Sequence, residues 1–321
     1  MRSGRPLDVP DLVARAETGE ARAVARLISL VEDASPALRE VMALLAPRAG
    51  HARVVGLTGS PGVGKSTSTN ALVAAYRRRG MKVGVLAVDP SSPFSGGALL
   101  GDRVRMQDHA TDDGVFIRSM ASRGHLGGLS WSTPQALRVL SAAGCDVVLV
   151  ETVGVGQAEV EIASLADTTL VLLAPGMGDG IQAAKAGILE VADVFVVNKA
   201  DRDGADTVVR DLRYMLSLGD RRTDDGWRVP IVKTIAAKGE GADEVVDAIE
   251  RHGEWLAGNG QLARRRAKRA ADEVEAIALT VLRARIGDLR GGDALDLLAD
   301  RVVAGQLDPY TAADELVAAL S

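Results

Sequence analysis

A glycine-rich run near residue 60 carries the residue types that hold phosphate groups. Gly59, Gly64, Lys65 and Ser66 occupy the fixed positions of the pattern G-x-x-x-x-G-K-[ST], between an apolar stretch and a helical one. The glycines let such a loop curl, so that successive N–H groups point inward at a helix N-terminus and favour an anion. Lys65 is then expected to contact the β- and γ-phosphates and Ser66 to bind Mg²⁺. A glycine-rich turn without a ligand would require neither the lysine nor the serine.

Two acidic residues are candidates for the further oxygen ligands of a metal ion that bridges two phosphates. Asp89 closes the apolar run Val83–Val88, and Glu151 closes Val147–Val150. In open parallel sheets, ligands bind beyond the carboxyl ends of the strands, so both acids are expected at the edge that carries the glycine-rich loop. Either acid alone could simply cap the helix or turn that follows it. Beside a phosphate-binding loop, the metal role is favoured.

The segment Asn198-Lys199-Ala200-Asp201 follows the apolar run Val194–Val197 and could recognise a purine base. A carboxylate there accepts hydrogen bonds from guanine N1–H and the 2-amino group, whereas adenine has a lone pair at N1 and no 2-amino group. Hydrogen bonds to charged groups are worth about 1.5–3 kcal/mol, so a pair of them should favour guanine by at least about ten- to a hundredfold. The sequence therefore predicts that GTP is preferred over ATP.

Seven short β-branched runs alternate with helical stretches and are expected to form the strands that position these loops. They are Val54–Thr58, Val83–Val88, Val115–Arg118, Val147–Val150, Thr169–Leu173, Val194–Val197 and Val229–Ile235. Most are apolar throughout rather than alternating, which is typical of parallel strands covered by helices on both faces. The prediction is an α/β fold: a P-loop NTPase with a mainly parallel, doubly wound sheet and helical extensions at both ends.

The two extensions follow from helical spacing of apolar residues. One occupies about Asp8 to Pro47, and the other begins at Gln261, where no strand signal remains. The second reads as a helix broken at Gly291-Gly292, followed by two more helices, the last opening near Asp308-Pro309. The predicted domains are a helical extension over residues 1–50, a nucleotide-binding domain over 51–258 and a C-terminal helical dimerisation region over 259–321.

Composition limits the cellular setting and the partners. The chain is 47% hydrophobic with a net charge of -5, which gives no general attraction to nucleic acid. The single cysteine, Cys145, allows no internal disulfide and suits a reducing compartment. No apolar h-region follows Met1–Pro10, and runs such as Leu170–Ala174 are too short to span a bilayer. We expect a soluble, cytoplasmic protein without nucleic-acid or membrane partners.

Five longer segments resemble those of one family of P-loop GTPases. They are Gly59–Thr67, Ala87–Ser92, Leu100–Met106, Ser122–Leu129 and Glu151–Gln157. On these segments the chain resembles the MeaB/ArgK family, which includes the human methylmalonic aciduria type A protein. The resemblance covers essentially the whole chain, including the helical extensions.

The resemblance implies a more specific function than nucleotide binding. Members of this family are GTP-hydrolysing chaperones of adenosylcobalamin-dependent methylmalonyl-CoA mutase: they gate delivery of the B12 cofactor and protect or reactivate the mutase. They are homodimers whose C-terminal helices mediate dimerisation. The expected client is methylmalonyl-CoA mutase or a related B12-dependent acyl-CoA mutase, and the expected ligands are GTP or GDP and Mg²⁺.

The resemblance also implies roles for single residues. The expected catalytic residues are Lys65, Asp89 and Glu151, with Asp89 the first choice for positioning the attacking water. The expected metal ligands are Ser66, Asp89, Asp102 and Glu151, and a mobile switch that signals to the mutase is expected at Asp179, Gln182 and Lys185. The expected nucleotide-binding residues are Gly59, Ser60, Pro61, Gly62, Val63, Gly64, Lys65, Ser66, Thr67, Asn198, Lys199, Asp201, Ile235, Ala236 and Ala237.

The loop expected over the base departs from the family pattern. The family usually has serine where this chain has Ile235, which leaves backbone N–H groups as the contacts of this loop. Phosphoryl transfer depends on positioning and charge neutralisation more than on covalent chemistry. An isolated site without a complete set of cations should therefore turn over slowly until the mutase closes the switches.

Two enzyme classes remain as alternatives. A GTPase metallochaperone for nickel enzymes would need clustered Cys or His ligands, whereas those of this chain are scattered, at His51, His109, His125, Cys145 and His252. A protein kinase or transport-linked ATPase is disfavoured by the guanine-reading segment.

A basic run also raises nucleic-acid binding. It covers Arg264–Arg269, but acidic residues follow directly at Asp272, Glu273 and Glu275, and aromatic residues total only 3%. A solvated helix start or a subunit contact is therefore preferred.

Overall fold

The structure is a computed structural model that describes residues 7–89, 109, 111–121, 132–152, 158–176, 188–218, 226–290 and 294–318. The chain divides into two compact units, Met1–Arg266 and Ala267–Ser321. The domain boundaries expected at residues 50 and 258 stay a prediction.

In the described part of the first unit, seven parallel strands form one sheet. They are β1 (Arg53–Thr58), β2 (Val83–Asp89), β3 (Val115–Ala121), β4 (Val147–Thr152), β5 (Thr168–Leu173), β6 (Val194–Val197) and β7 (Ile231–Lys233). Their order across the sheet is β3-β2-β4-β1-β5-β6-β7, and every neighbouring pair is parallel. β1 therefore lies at the centre, between β4 and β5, and the glycine-rich loop leaves from its carboxyl end.

Helices of the first unit cover the sheet, and further described helices lie towards both ends of the chain. Those before and within the sheet are α1 (Val9–Glu17), α2 (Ala21–Glu32), α3 (Leu38–Leu45), α4 (Lys65–Arg78), α5 (Thr133–Ala142), α6 (Ala158–Leu165), α7 (Ala205–Leu218) and α8 (Ala242–Gly258). Those that follow are α9 (Gln261–Arg290), α10 (Ala294–Val303) and α11 (Pro309–Ala318). Short 3-10 turns occupy Ile188–Val191 and Ala236–Lys238.

Apolar side chains are buried on both faces of the sheet. Val54, Leu86 and Val148 belong to one core, which includes the buried faces of α1, α2, α3, α5 and α6. Their sequence neighbours Val55 and Val85 belong to a second core with α4 and α8. Successive residues of a strand point to opposite faces, so strands that are apolar throughout can fill both cores. The predicted doubly wound α/β fold is confirmed.

Three aspartates stand at equivalent places, each immediately before a strand. Asp146, Asp167 and Asp193 precede β4, β5 and β6. Each carboxylate accepts a backbone N–H at 2.7, 3.0 and 2.8 Å, from Lys82, Val54 and Thr169 respectively. Two consecutive arginines of α9 pair with two of these acids: Arg265 lies 3.0 Å from Asp193, and Arg266 lies 3.0 Å from Asp167. The first residues of α9 are thereby held at the amino-terminal edge of the sheet.

A buried histidine lies beside this edge. His252 of α8 has no exposed surface, and its Nδ1 lies 2.9 Å from Thr168 Oγ1. Its Nε2 lies 3.3 Å from Asp193 Oδ1 without a hydrogen bond, and the two groups form an ion pair only when the ring is protonated. The rings of Trp227 and Trp255 pack against it at centroid distances of 4.8 and 5.8 Å. Burial lowers the pKa of His252 to about 4, and Asp193 opposes this shift only in part.

The second unit contains the rest of α9 together with α10 and α11. Asp308 caps α11 by accepting backbone N–H bonds from Tyr310 and Thr311, at 2.9 and 3.1 Å. Arg301 of α10 pairs with Glu315 of α11 at 2.7 Å. The end of α9 at Arg290 and the opening of α11 at Pro309 agree with the predicted helices. None of the helices in the described part of the chain combines the length and apolar character that crossing a bilayer requires.

Candidate functional site

The loop between β1 and α4 adopts a conformation that glycine permits. Gly59 has φ +143°, and a Cβ there would lie 2.4 Å from the carbonyl oxygen of Leu172. Gly64, the residue before α4, has φ +96°, and a Cβ there would lie 2.5 Å from Asn198 Nδ2. Side chains at these positions would meet both backbone strain and a close neighbour. The loop thus brings its backbone to the N-terminus of α4, where the N–H groups of the first turn and the helix dipole favour an anion.

Lys65 begins α4 and folds back over this loop. Its Nζ donates to the carbonyl oxygens of Gly59 and Ser60, at 2.7 and 3.3 Å. The residue is only 7% exposed, so its ammonium depends on these polar partners. Lys65 is therefore held in the place from which an ammonium can reach phosphate oxygens bound by the loop.

Glu151 lies between two hydroxyl groups of α4. Ser66 Oγ donates to Glu151 Oε1 at 2.6 Å, and Thr69 Oγ1 lies 3.0 Å from Glu151 Oε2. Glu151 is 5% exposed and Thr69 is fully buried. The sequence argument predicted Ser66 and Glu151 but missed Thr69. A signal was present, because residues three apart on a helix share a face.

Strand register brings the two predicted acids to one edge of the sheet. Glu151 of β4 pairs in register with Leu57 of β1 and with Ala87 of β2. Asp89, the last residue of β2, follows two positions after Ala87. Hydroxyl and carboxylate oxygens are the hard ligands that Mg²⁺ prefers, so Ser66 and Glu151 fit this metal. The fourth predicted ligand, Asp102, lies outside the described residues, as do the switch residues Asp179, Gln182 and Lys185.

Asn198 connects the glycine-rich loop to the loop after β7. Its Nδ2 donates to the Val63 carbonyl oxygen at 2.9 Å. Its Oδ1 accepts from the Ala236 N–H at 3.0 Å and from Thr234 Oγ1 at 3.2 Å. Asn198 is 3% exposed. One amide therefore ties together three segments predicted to surround a nucleotide. Thr234 was not predicted.

The neighbours of Asn198 occupy the mouth of the site. Lys199 has the uncommon φ of +57°, and its Nζ donates to the Gly62 carbonyl oxygen at 2.6 Å. Asp201 is exposed, so its carboxylate is accessible to a ligand. The Ile235 N–H donates to the Glu240 carbonyl oxygen at 3.0 Å. The N–H groups of Ile235 and Ala236 are bonded within the protein. Of the three residues predicted in this loop, Ala237 is the one that is exposed to solvent.

The remaining residues predicted in the loop differ in their exposure. Val63 is buried, whereas Pro61, Gly62 and Thr67 are exposed and Ser60 is half-buried. The predicted loop from Gly59 to Thr67 therefore contains both buried and exposed residues.

Among the described residues, the candidate ligands of a nickel site are not brought together, and His125 lies outside the described residues. Cys145 is buried, and burial raises the pKa of its thiol to about 12. His51 is exposed and lies 3.4 Å from Ser141 Oγ, while His252 is buried beside Asp193. Within the described residues, no three His, Cys, Asp or Glu side chains form a group that could hold a metal ion.

Comparisons with known proteins place these features in a family context. Residues 24–288 match the model of a family described as Methylmalonyl Co-A mutase-associated GTPase MeaB. A protein of Pyrococcus horikoshii is 47% identical over 311 residues, covering 97% of each chain. The mouse protein named methylmalonic aciduria type A homolog, mitochondrial, is 36% identical over 268 residues, covering 83% of this chain and 65% of the mouse protein.

A solved structure shares the architecture. The crystal structure of a protein named LAO/AO transport system kinase superposes with a TM-score of 0.71 at 28% sequence identity, covering 98% of each chain. The similarity therefore extends over both helical ends as well as the sheet.

Proposed function

Because the chain belongs to the MeaB family of methylmalonyl-CoA mutase-associated GTPases, we propose that it binds GTP with Mg²⁺ at this site and hydrolyses it to GDP and phosphate. We also propose that it serves in the cytoplasm as a chaperone of methylmalonyl-CoA mutase or a related B12-dependent acyl-CoA mutase. One observation carries the proposal. The 2.9 Å bond from Asn198 to Val63 joins the predicted base-reading segment to the glycine-rich loop, which supports treating both as parts of one nucleotide site.

Phosphate binding rests on the loop and Lys65. The curled backbone at the N-terminus of α4 receives the phosphates, and the Lys65 ammonium exchanges its carbonyl partners at Gly59 and Ser60 for phosphate oxygens. Once the nucleotide is bound, the Lys65 ammonium lies beside the phosphate oxygens on which negative charge develops, so it stabilises the transition state without further reorganisation.

Hydrolysis rests on the acids at the carboxyl edge of the sheet. Ser66 and Glu151 would hold Mg²⁺, with Asp89 and Asp102 as the further predicted ligands. A metal ion held there would neutralise negative charge on the phosphate groups. Asp89, at the end of β2, is our candidate for orienting the attacking water.

Guanine selectivity rests on Asp201 and Asn198. The exposed Asp201 carboxylate can accept from guanine N1–H and the 2-amino group, whereas adenine leaves it unpaired. The Asn198 amide can donate to guanine N7 or O6 while it remains bonded to Val63.

Two features support the partner side of the proposal. The family description names the mutase association. The second unit exposes large apolar side chains, which suits a homodimer formed through the C-terminal helices; they include Val274, Ile277, Leu282, Leu297, Val303, Tyr310 and Val317. Asp179, Gln182 and Lys185 are the predicted switch that would signal to the mutase.

The deciding experiment measures phosphate release by the purified chain, with Lys65→Ala as the inactive control. We expect slow, Mg²⁺-dependent hydrolysis of GTP, weak use of ATP, and a higher rate when the mutase encoded by the same organism is added. Absence of Mg²⁺-dependent GTP binding, or equal binding of ATP, would overturn the nucleotide assignment. If the mutase did not change the GTPase rate and this protein did not change the mutase activity, the chaperone assignment would be overturned and the nucleotide assignment would stand.

The same preparation tests the kinase alternative. The solved relative with the shared architecture is named a transport system kinase. If the chain transferred labelled phosphate from ATP to a partner protein, that activity would replace the chaperone proposal. We expect no such transfer, because the Asp201 carboxylate disfavours adenine.

A further inference from the structure

We propose that the start of α9 is coupled to nucleotide binding through the sheet. Its residues Arg265 and Arg266 clamp the amino ends of three neighbouring strands, whose carboxyl ends lie at the candidate nucleotide site. The inference rests on the proposed function and adds to it a second region that responds to the nucleotide. Both arginines belong to the first unit.

Arg265 holds the amino end of β6 through a two-pronged ion pair with Asp193. Its two terminal nitrogens each donate to one carboxylate oxygen at 3.0 Å, and one of them also donates to the Asp167 carbonyl oxygen at 2.9 Å. The same carboxylate accepts the Thr169 N–H of β5 at 2.8 Å. Asp193 is 6% exposed, so salt in the solvent screens this pair only weakly. One buried carboxylate thus links α9, β5 and β6.

Arg266 holds the amino ends of β1 and β5. Its Nη2 donates to Asp167 Oδ2 at 3.0 Å, and the guanidinium also donates to the carbonyl oxygens of Gly50 and Ala52, at 2.6 and 3.2 Å. Asp167 Oδ2 in turn accepts the Val54 N–H of β1 at 3.0 Å. A planar guanidinium with several acceptors fixes their relative geometry. The two arginines together therefore set the relative positions of three strands.

The other ends of these strands carry the candidate site. β1 leads into the glycine-rich loop, β6 leads into the segment Asn198–Asp201, and β5 lies between β1 and β6. β1 and β5 have six residues each and β6 has four. At about 3.3 Å per residue, the arginines lie roughly 15–20 Å from the nucleotide edge. They act on the site through the strands and not by contact.

The clamp favours one spacing of the three strands. Without a guanidinium, the amino ends of the strands gain freedom. Rigid elements and hydrogen-bond networks carry coupling between distant sites, so this freedom reaches the loops at the opposite edge. A nucleotide that spans the loops of β1 and β6 must then fix what the clamp had fixed before, and its affinity falls. Coupling is reciprocal, so nucleotide binding also changes the surroundings of the arginines.

Three substitutions along α9 test the effect on affinity. Arg265→Met and Arg266→Met remove the guanidinium and keep an unbranched side chain, whereas Arg264→Met is the control at an adjacent, exposed arginine. Calorimetry measures the Kd for GTP in the full-length proteins, and urea unfolding confirms that each variant is folded. We expect a Kd raised by roughly two- to thirtyfold in the first two variants, the range for residues that contact neither site. Arg264→Met should bind like the wild type.

A conservative variant separates geometry from charge. Arg265→Lys keeps the positive charge beside Asp193 but cannot form the two-pronged contact. We expect its Kd to lie between those of the wild type and Arg265→Met. This variant also serves if Arg265→Met does not fold, because it leaves the buried carboxylate paired.

Two tryptophans report the reciprocal effect without altering the clamp. Trp227 Nε1 donates to the Asp193 carbonyl oxygen at 2.9 Å, and the Trp255 ring lies 5.5 Å from that of Trp227. The third tryptophan, Trp131, lies outside the described residues and is replaced in Trp131→Phe. Tryptophan emission of this variant should shift on titration with GTP and saturate with the Kd found by calorimetry. Adding Arg265→Met should remove the shift at saturating GTP.

The inference fails if GTP binds with wild-type affinity to the folded variants of Arg265 and Arg266. It also fails if Arg264→Met weakens binding as much, which would indicate a general effect of positive charge, or if emission in Trp131→Phe stays constant at saturating GTP. Wild-type protein that does not bind GTP at all would instead overturn the proposed function.

Discussion

The Ser66 hydroxyl and the Glu151 carboxylate lie 2.6 Å apart, although 85 residues separate them in the sequence. Ser66 opens α4 and Glu151 belongs to β4, the strand beside β1, so the contact exists only because the sheet places β1 and β4 side by side. Each group is a predicted metal ligand and each is the hydrogen-bond partner of the other.

Removing the charge of Glu151 tests its role directly. We expect Glu151→Gln to lower kcat for GTP by roughly a hundredfold. The glutamine amide lacks the negative charge that balances a bound cation, and it orients a water molecule less well than a carboxylate. Phosphate release at saturating GTP and Mg²⁺ measures the change. The exposed Glu254 of α8 supplies the control, and Glu254→Gln should leave kcat unchanged. Full activity in Glu151→Gln would remove this residue from the catalytic machinery.

Thr69 should support Glu151 without touching the nucleotide. Its hydroxyl lies 3.0 Å from the Glu151 carboxylate, and hydrogen bonds to charged groups contribute about 1.5–3 kcal/mol. We expect Thr69→Val to raise the Mg²⁺ concentration required for half-maximal GTPase activity by roughly tenfold, and Thr69→Ser to restore it. Ser68→Ala is the control, because the buried Ser68 hydroxyl has no hydrogen-bond partner within the described residues. A Mg²⁺ titration of each variant decides the matter.

Two glycines of the loop should differ in their tolerance of a methyl group. Both have positive φ, which costs alanine roughly 1–2 kcal/mol. A Cβ at Gly64 would also lie 2.5 Å from Asn198 Nδ2, whereas a Cβ at Gly62 meets nothing within 4 Å. We expect both variants to lose a few degrees of Tm and Gly64→Ala alone to lose GTP binding by more than tenfold. Similar affinities in the two variants would contradict the clash.

Exchanging the acceptor at Asp201 should change the preferred base. We expect Asp201→Asn to weaken GTP binding by about ten- to a hundredfold, the value of lost hydrogen bonds to a charged group. The asparagine amide can donate to the 2-oxo group of xanthine, so binding of xanthosine triphosphate should rise. Competition binding with both nucleotides measures the exchange. The neighbouring Asp203 is also exposed, and Asp203→Asn should keep the preference for GTP.

Acid should destabilise the first unit through His252. Burial lowers its pKa from the ordinary 6.5 to about 4, so the unfolded chain takes up a proton more readily than the folded one. The resulting stability is complete above pH 6.5 and is lost progressively as the pH falls from 6.5 towards 4. The loss is on the order of 3 kcal/mol.

Urea unfolding at pH 7 and pH 4.5 measures this slope. His252→Gln should flatten it, whatever the variant does to stability at neutral pH. His51→Gln, at an exposed histidine, should retain the wild-type slope. An unchanged slope in His252→Gln would assign the acid sensitivity to other groups.

The strands were the most predictable part of the fold. Runs of apolar residues located all seven, because strands buried on both faces need continuous apolar sequence. The last run was predicted as Val229–Ile235, whereas β7 covers only Ile231–Lys233. Pro230 has no N–H to give to a ladder, and Ile235 bonds instead to Glu240 in an isolated bridge. The family expected from five motifs is confirmed by the match over residues 24–288.

Side-chain contacts between distant segments were less predictable. Lys65 and Ser66 follow from a local pattern, since one short loop contains the whole signal. Thr69 and Thr234 belong to the site only because they contact Glu151 and Asn198, which are 82 and 36 residues away in sequence. No spacing rule along the chain reports such pairs, because the sheet topology creates them.

The edge of the sheet at β7 has a consequence for self-association. In the described part of the chain this terminal strand is three residues long, follows a proline and ends at Lys233, whose ammonium pairs with Asp206 at 3.0 Å. A second chain could extend the sheet there through only a few hydrogen bonds, and it would meet charge at once. This border of the sheet is therefore poorly suited to pairing with a strand of another molecule.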